Sequence, residues 1–228
     1  HIDIIHDKFI KIDSFVDLYN SNPEEIVTYR TFDKIFYPSK TNIYLCCQNI
    51  MRYSHEFDII ICNILEKDPY GILIVNLNEI NYKNFIIRME NNIGSNQIIL
   101  NRIKRIELVT LDDYWKYITN STIFLDMYPY GSDIIHYYMA LYNGIPIITI
   151  PSKYLSGQIC FNLYTLINFK ELICTNGQNY ISTILNLVHN KDLYIYTCNE
   201  IKKGFIRLCN HQESFVKKYS EIIKNLLL

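Results

Sequence analysis

The sequence lacks several features that would place it in a functional class at once. Its 228 residues contain no CxxC pair, and its seven cysteines are an odd number that lie mostly within apolar runs. This pattern argues against a zinc site or a disulfide framework and favours reduced thiols in a cytosol-like compartment. No apolar run reaches the ~20 residues that a membrane span needs, and no signal peptide is recognisable. We therefore expect a cytoplasmic protein without a membrane span.

The net charge is small, and glycine is scarce as well. With 22 basic and 23 acidic residues the formal charge is −1, so no global field points to nucleic acid or to an anionic membrane. Only seven glycines occur, and no GxGxxG follows the first predicted strand, which makes a dinucleotide-binding domain a weak alternative. No group of histidines has metal-ligand spacing, and we expect neither a metal nor a cofactor.

One stretch, residues 125–154, together with the apolar run 122–125 that opens it, organises the rest of the chain. The apolar run 122–125 predicts a buried strand that ends at Asp126, and residues typical of a turn and a helix N-cap follow: Pro129, Gly131, Ser132 and Asp133. Residues 134–142 predict a helix that stops at Asn143-Gly144, and residues 147–150 predict a second strand. Strand, turn, helix and strand in this order form the unit of a parallel sheet, and the turn into the helix is a ready anion site.

Strands and helices alternate along the remaining chain. We predict further strands at residues 43–47, 72–76, 97–100 and 171–174. We predict further helices at residues 57–67, 81–91, 111–119, 155–166, 178–189, 192–205 and 214–227. About six strands and as many helices argue for an α/β fold, a doubly wound parallel sheet that binds ligands at the carboxyl ends of its strands.

The first 40 residues are the least regular part of the sequence. We predict one helix there, at residues 9–19, and treat residues 1–40 as an extension or the remnant of a preceding lobe. Residues 41–228 would then form the nucleotide-binding domain with its carboxyl-terminal helices. The sequence begins with His1 rather than Met, and we expect it to be a fragment of a longer protein.

Three segments together carry a family resemblance. The first is YLCCQNIMRYSHEFD (residues 44–58), which leads to ILEKDPYGILIV (64–75). The second joins LDMYPYG (125–131) to GIPIIT (144–149), and the third is LSGQ (155–158), followed by Leu172-Ile173 and Tyr180. In order and spacing, these segments resemble the carboxyl-terminal lobe of the O-linked N-acetylglucosamine transferase/SPINDLY family of glycosyltransferases. The resemblance covers about residues 40–228.

The resemblance implies one Rossmann-like lobe of a two-lobed GT-B glycosyltransferase. It implies a nucleotide sugar, UDP-linked, as donor and partner, and inverting transfer to a Ser or Thr hydroxyl of a protein or peptide acceptor without a metal. The family's first lobe, which carries acceptor contacts and some catalytic contacts, is essentially missing from this sequence. An upstream lobe in the full-length protein is left open, and no catalytic base is predicted.

The predicted catalytic residue is Arg52, which stands where the family has a Lys that helps to neutralise the leaving diphosphate. Cations, helix N-termini and backbone amides stabilise such a leaving group without covalent chemistry. Arg keeps the charge, although its planar fork is not a point charge. Gly131, Ser132 and Asp133 would offer amides to the diphosphate, or would form only a turn and a helix cap. Without the resemblance, Arg52 would be interpreted as a surface residue in a loop.

The other predicted contacts concern the rest of the donor. Tyr114, with Val109 and Leu111, would flank the base; Leu111 and Tyr114 fall near the family's Lys and His positions, and Leu111 cannot replace a charge. Gln48 would touch the ribose or the sugar, or else satisfy backbone groups at the loop end. The family's Arg in the third segment is Gln158 here.

Two further residues belong to the predicted site. His136 would face the cleft if an extra residue in the turn shifts the helix register; an ordinary helix histidine is the alternative. Lys153 would reach a phosphate, or would be a solvated lysine.

The prediction is thus a glycosyltransferase, or its donor-binding lobe. The main alternative is a degenerate, non-catalytic lobe that serves as a binding or interaction module, which the substituted Lys, His and Arg positions favour. A doubly wound domain with another small-molecule ligand is a third and weaker interpretation. A retained cationic site for the diphosphate would favour the transferase over the non-catalytic binding module.

Overall fold

The computed structural model describes residues 41–93, 96–209 and 213–227. Its sheet has five strands, all parallel, in the order β3-β2-β1-β4-β5. The strands are β1 (Asn42–Cys46), β2 (Gly71–Asn76), β3 (Ile103–Ile106), β4 (Ile123–Leu125) and β5 (Ile147–Ile148). A single parallel bridge from Thr149 to Ile173 continues the sheet beyond β5. The predicted doubly wound α/β fold is confirmed.

Nine α-helices occur in the described residues. They are α1 (His55–Lys67), α2 (Glu79–Ile93), α3 (Gln97–Leu100), α4 (Leu111–Thr119), α5 (Ile134–Tyr142), α6 (Ile159–Leu166), α7 (Gly177–His189), α8 (Lys191–Cys209) and α9 (Glu213–Leu227). Two 3-10 turns, Ile50–Arg52 and Ser156–Gln158, precede α1 and α6. None of the described helices is long and apolar enough to cross a membrane.

The chain divides into two compact units. One comprises residues 31–205 and holds the whole sheet; its described part begins at residue 41. The other takes the chain from Ile206 onward, and its described part is the end of α8 together with α9. The predicted helix at residues 9–19 and the rest of residues 1–40 lie outside the described residues.

The predicted strand at residues 97–100 is wrong, because these residues form helix α3. The side chain of Asn96 caps that helix by accepting hydrogen bonds from the backbone N–H groups of Ile98 and Ile99. A four-residue apolar run such as QIIL has no period that separates helix from strand, so the cap decides. The strand in this region is β3 instead, at Ile103–Ile106, where neither a strand nor a helix is predicted from the sequence.

Other boundaries follow the predictions closely. The helices predicted at residues 111–119 and 134–142 are α4 and α5 without any shift. Gly144 ends α5 with φ of 71°, the left-handed conformation expected of a glycine after a helix. The strand predicted at residues 171–174 is reduced to the bridge at Ile173.

Strand β1 lies at the centre of the sheet, and this explains its composition. Tyr44, Leu45 and Cys46 are fully buried because helices cover both faces of the sheet. The Tyr44 hydroxyl donates to the Asp68 carboxylate at 2.6 Å, so its polar end is satisfied inside the core. Between β1 and β4 the strand order reverses, and in open α/β sheets ligands bind outside the carboxyl ends of the strands at such a point.

Candidate functional site

A cavity of about 350 Å³ opens at the carboxyl ends of β1 and β2. Five of its lining residues carry neutral carboxamides: Gln48, Asn49, Asn76, Asn78 and Asn81. The others are Cys47, Ile50, Leu77, Tyr114, Asp133 and His136. Because β1 and β2 are parallel neighbours, the loops that follow both of them meet at this edge. The lining is therefore polar, with Asp133 as its acidic group.

Gln48 and His136 meet inside this cavity. Gln48 follows β1 and is 1% exposed; its Nε2 lies 3.1 Å from Nδ1 of His136, which is also buried. Burial lowers the pKa of His136 to about 4, against the opposing effect of Asp133, so the imidazole is neutral at pH 7. In this arrangement Nδ1 accepts from the amide, and Nε2 carries the proton.

Tyr114 holds the other face of the histidine. The two rings stack with centroids 4.6 Å apart and an angle of 23° between their planes. The Tyr114 hydroxyl accepts from Asn76 Nδ2 at 2.8 Å, while Oδ1 of Asn76 accepts from the Leu108 backbone N–H at 2.9 Å. The end of β2 therefore anchors Tyr114, and Tyr114 fixes the plane of the imidazole.

Arg52 reaches the turn that precedes α5. It lies in the 3-10 turn Ile50–Arg52, which the Asn49 side chain caps. Its Nη2 donates to Oδ1 of Asp133 at 2.6 Å, and its Nη1 donates to the Gly131 carbonyl at 3.2 Å. Arg52, the cation predicted to stabilise the leaving diphosphate, is thus paired with an acid of the same predicted site.

The start of α5 has the geometry of an anion site with one difference. Gly131 has φ of 66°, and a Cβ there would lie 2.5 Å from the Ser156 carbonyl oxygen, so glycine is required. Asp133 occupies the N-cap position but makes no side-chain cap bond, because its carboxylate bonds Arg52. The first N–H groups of a helix have no partner within the helix. The prediction that Gly131 and Ser132 offer their amides to a diphosphate is wrong, because the Gly131 N–H donates to the Met127 carbonyl and the Ser132 N–H donates to the Tyr137 hydroxyl. The N–H groups of the first turn of α5 and Arg52 are the groups that can attract an anion here.

A buried carboxylate supports this turn from below. Asp126, at the end of β4, accepts from the Tyr137 hydroxyl and from the Thr149 hydroxyl, each at 2.6 Å. The Tyr180 hydroxyl donates to the Asp126 carbonyl at 3.2 Å. Burial raises the pKa of Asp126 to about 6, even though the hydrogen bonds from Thr149 and Tyr137 lower it. The sequence marked Asp126 only as a strand end and missed its role beneath the turn.

The structure brings together some of the predicted site residues. Gln48, Tyr114, Asp133 and His136 line the cavity. Arg52 and Gly131 join that group through the hydrogen bonds of the guanidinium, and Ser132 is buried next to them.

Three predicted residues stand apart from the cavity. Val109 is 82% exposed and Leu111 is 52% exposed, and neither is among the lining residues in the described part of the chain. Lys153 is likewise outside the lining, and its Nζ lies 5.4 Å from the centre of the Tyr154 ring. Sequence reasoning missed the four asparagines; Asn76 was recognisable as the polar residue that ends an apolar strand.

Comparisons with known proteins report on the fold. Neither a scan against models of protein families nor a search of curated proteins finds a match. Among solved structures, the chain is similar to an O-GlcNAc transferase mutant of Thermobaculum terrenum, with a TM-score of 0.73 and 15% identity over 82% of this chain. The fold is that of one Rossmann-like lobe of a GT-B glycosyltransferase.

Other solved structures share this GT-B lobe. A sucrose-phosphate synthase from Thermosynechococcus elongatus gives a TM-score of 0.54 with 14% identity, covering 83% of this chain and 46% of that one. The carboxyl-terminal CMP-Kdo binding domain of WaaA from Acinetobacter baumannii gives 0.52 with 11% identity, covering 73% and 90%. The chain spans only 36% of the Thermobaculum protein.

Proposed function

We propose that this chain is the donor-binding lobe of a glycosyltransferase and that it binds a nucleotide sugar at the carboxyl edge of its sheet. The observation that carries the proposal is the position of the polar cavity. It opens at the strand ends of a GT-B lobe, and Asp133 at the start of α5 is part of its wall. Arg52 bonds that same residue. A cavity lined mainly by neutral carboxamides, with Arg52 and the start of α5 beside it, suits a ligand with an uncharged part and a diphosphate.

The chemistry required of this lobe is stabilisation of the leaving diphosphate. Arg52 and the unpaired N–H groups at the start of α5 would supply it without covalent catalysis. The ion pair with Asp133 does not prevent this, because its side chains are 29% and 53% exposed. Pairs exposed to that degree contribute about 0–1 kcal/mol, less than a diphosphate with two negative charges gains from a guanidinium and a helix start.

The finer parts of the proposal rest on the sequence resemblance. The motifs at residues 44–75 and 125–149 support UDP as the nucleotide and a Ser or Thr hydroxyl of a protein as the acceptor, with inversion and without a metal. Val109 and Leu111 would flank the base and Lys153 would approach a phosphate only at the edge of the site. Transfer itself would need the second lobe that the larger homologous fold contains. Free thiols at all seven cysteines suit the cytoplasmic location that we propose.

One observation favours a different function, a non-catalytic binding module. Asp133 places a carboxylate where the diphosphate would bind, and it pairs with the Arg52 guanidinium there. In a lobe that had lost its donor, such a pair would simply hold the Ile50–Arg52 turn against the Gly131 turn. The two functions differ in one property, which is whether the site still attracts an anionic nucleotide.

A calorimetric titration with UDP tests the proposal. We expect saturable binding to the wild-type chain, weaker binding of GDP, and a loss of about tenfold or more in UDP affinity for Arg52→Ala. Lys104→Ala is the matched control, because Lys104 is an exposed cation on β3 that does not line the cavity. Absence of UDP binding, or equal losses in the two variants, would favour the binding module.

A further inference from the structure

The lining of the cavity carries negative charge and no positive charge among the described residues. Its described lining includes no lysine and no arginine, whereas it includes the carboxylate of Asp133. A phosphate placed among these groups would meet an acid and no cation. Arg52, which does not line the cavity, directs its guanidinium to Asp133 and Gly131 at the cavity's edge. The anionic part of a ligand therefore belongs beside Arg52, and the cavity is left for an uncharged part.

Gln48 is the group in this cavity whose hydrogen bonding is incomplete. Its side chain is 1% exposed, and its Oε1 has no hydrogen-bond partner among the described residues, while Nε2 bonds His136. If the amide were turned over, Oε1 would accept from the ring and Nε2 would be unpaired, so one amide atom lacks a partner either way. Buried polar groups are almost always paired, and an unpaired one in a cavity wall is a position for a ligand atom.

His136 determines where that amide atom points. Its ring is stacked on Tyr114, and Tyr114 is anchored through Asn76 to the end of β2, so the imidazole cannot turn away. With Nε2 of Gln48 fixed on Nδ1 of His136, the other amide atom has a single direction. A buried amide with a fixed direction discriminates strongly between ligands that complete its hydrogen bond and ligands that do not.

We propose that the cavity receives an uncharged, hydrogen-bonding ring of the ligand, and that His136 acts through Gln48 as the positioning residue that makes it selective. The ring is a nucleobase with its ribose or a pyranose, and these share the same chemistry of neutral N–H, O–H and carbonyl groups. This inference rests on the proposed function for the presence of a nucleotide-sugar ligand. It adds which part of that ligand the cavity holds and which residue orients the contact.

The test separates the neutral and charged parts of the ligand. The full chain is titrated with uridine, with methyl N-acetylglucosaminide and with inorganic pyrophosphate. We expect one of the two neutral probes to bind, and its affinity to fall about tenfold in Gln48→Met and in His136→Phe, which keeps a ring on Tyr114 but has no acceptor. Pyrophosphate affinity should be unchanged in these variants and reduced by Arg52→Ala. Gln97→Met, at an exposed glutamine of α3, is the control for the change of side chain.

A double variant shows whether His136 acts through Gln48. If it does, adding His136→Phe to Gln48→Met causes no further loss of affinity for the neutral probe. If the two residues contacted the ligand independently, the loss in the double variant would be the product of the losses in the two single variants. A further loss would overturn the positioning role. Equal affinity of the wild type and Gln48→Met for the neutral probe, or no binding of either neutral probe at millimolar concentration, would overturn the inference as a whole.

A second measurement avoids dependence on folded variants. In the wild-type chain labelled with ¹⁵N, the side-chain amide signals of Gln48 should shift with the neutral probe and not with pyrophosphate; unchanged signals with a bound neutral probe would overturn the proposal. Failure of pyrophosphate and UDP to bind, with a neutral probe still bound, would instead count against the proposed function and leave this inference standing.

Discussion

Arg52 and Asp133 form an ion pair with 2.6 Å between Nη2 and Oδ1, although 81 positions separate them in the sequence. The pair joins the turn after β1 to the start of α5, the two elements that flank the reversal of strand order. It places a cation and an acid where the proposed donor would put its diphosphate. The site thus attracts an anion through Arg52 and repels it through Asp133, and the balance between them can be measured.

Removing the acid should strengthen nucleotide binding. In Asp133→Asn the guanidinium is released and the repulsion disappears, which at a few ångströms in a solvent-exposed setting amounts to about 1 kcal/mol. UDP affinity should therefore rise about fivefold, as calorimetry can show.

The matched control for that change is Asp192→Asn, which removes an exposed acid from the first turn of α8. It should leave the UDP affinity as it is. A weaker affinity in Asp133→Asn would mean that Asp133 contributes a hydrogen bond to the ligand, for example to a sugar hydroxyl, and that it does not oppose binding.

The hydroxyl of Tyr137 should contribute strongly to stability. It donates to Asp126 and accepts from the Ser132 backbone N–H, and all three groups are buried. Tyr137→Phe leaves a buried carboxylate oxygen and a buried amide unpaired, which costs about 1–3 kcal/mol each. Urea denaturation should show a loss of a few kcal/mol, against almost none for Tyr196→Phe at a residue that is 57% exposed.

Asp126 and His136 should make opposite contributions to the pH dependence of stability. Burial raises the pKa of Asp126 to about 6 from an ordinary value of 3.8, so the folded state binds more protons there and stability falls as the pH rises from 4 to 6. Burial lowers the pKa of His136 to about 4 from 6.5, so the unfolded state binds more protons and stability rises with pH over nearly the same interval.

Replacing one of the two residues leaves the pH dependence of the other visible. Relative to wild type, the free energy of unfolding of Asp126→Asn should rise as the pH increases from 4 to 6. That of His136→Phe should fall over the same interval, and each change should be about 3 kcal/mol at most. Denaturant titrations at several pH values measure these differences. If the free energy of unfolding of wild type and of a variant changed with pH in parallel, the replaced group would have the same pKa in the folded and unfolded states.

Gly131 should not tolerate a side chain. Its φ of 66° and the Ser156 carbonyl 2.5 Å from the position of a Cβ make Gly131→Ala strained, at roughly 1–3 kcal/mol for the backbone alone. Both the stability and the affinity for UDP should fall. Gly177→Ala is the control: there a Cβ meets only the end of the Ile60 side chain at 3.1 Å. Equal losses of stability and of UDP affinity in the two variants would show that the turn does not require glycine at position 131.

Much of this fold could be predicted from local patterns. The helices α4 and α5 were predicted to the residue: α4 begins at the capping box of Thr110 and Asp113, and Gly144 ends α5. The strand predicted at residues 97–100 failed because a short apolar run has no decisive period. The side chain of Asn96 caps these residues, and that contact decides for a helix.

The site was harder to predict, because it depends on contacts between distant segments. Gln48 and His136 are 88 positions apart, and nothing in either local pattern says that they bond. The sequence predicted both as site residues but did not predict that one orients the other. It also did not predict that the Asp133 carboxylate would bond Arg52 instead of capping α5, since that requires the turn after β1 to lie against the start of α5.

The central claim is that a nucleotide sugar binds at the carboxyl edge of the sheet, and its most direct test is to map the site of UDP by NMR. In a titration of the ¹⁵N-labelled chain, we predict that the largest shifts fall on the backbone amides of Gln48, Tyr114, Asp133 and Ile134. Lys104, exposed on β3, should not shift. Shifts confined to other parts of the chain, or no shifts at saturating UDP, would contradict the account.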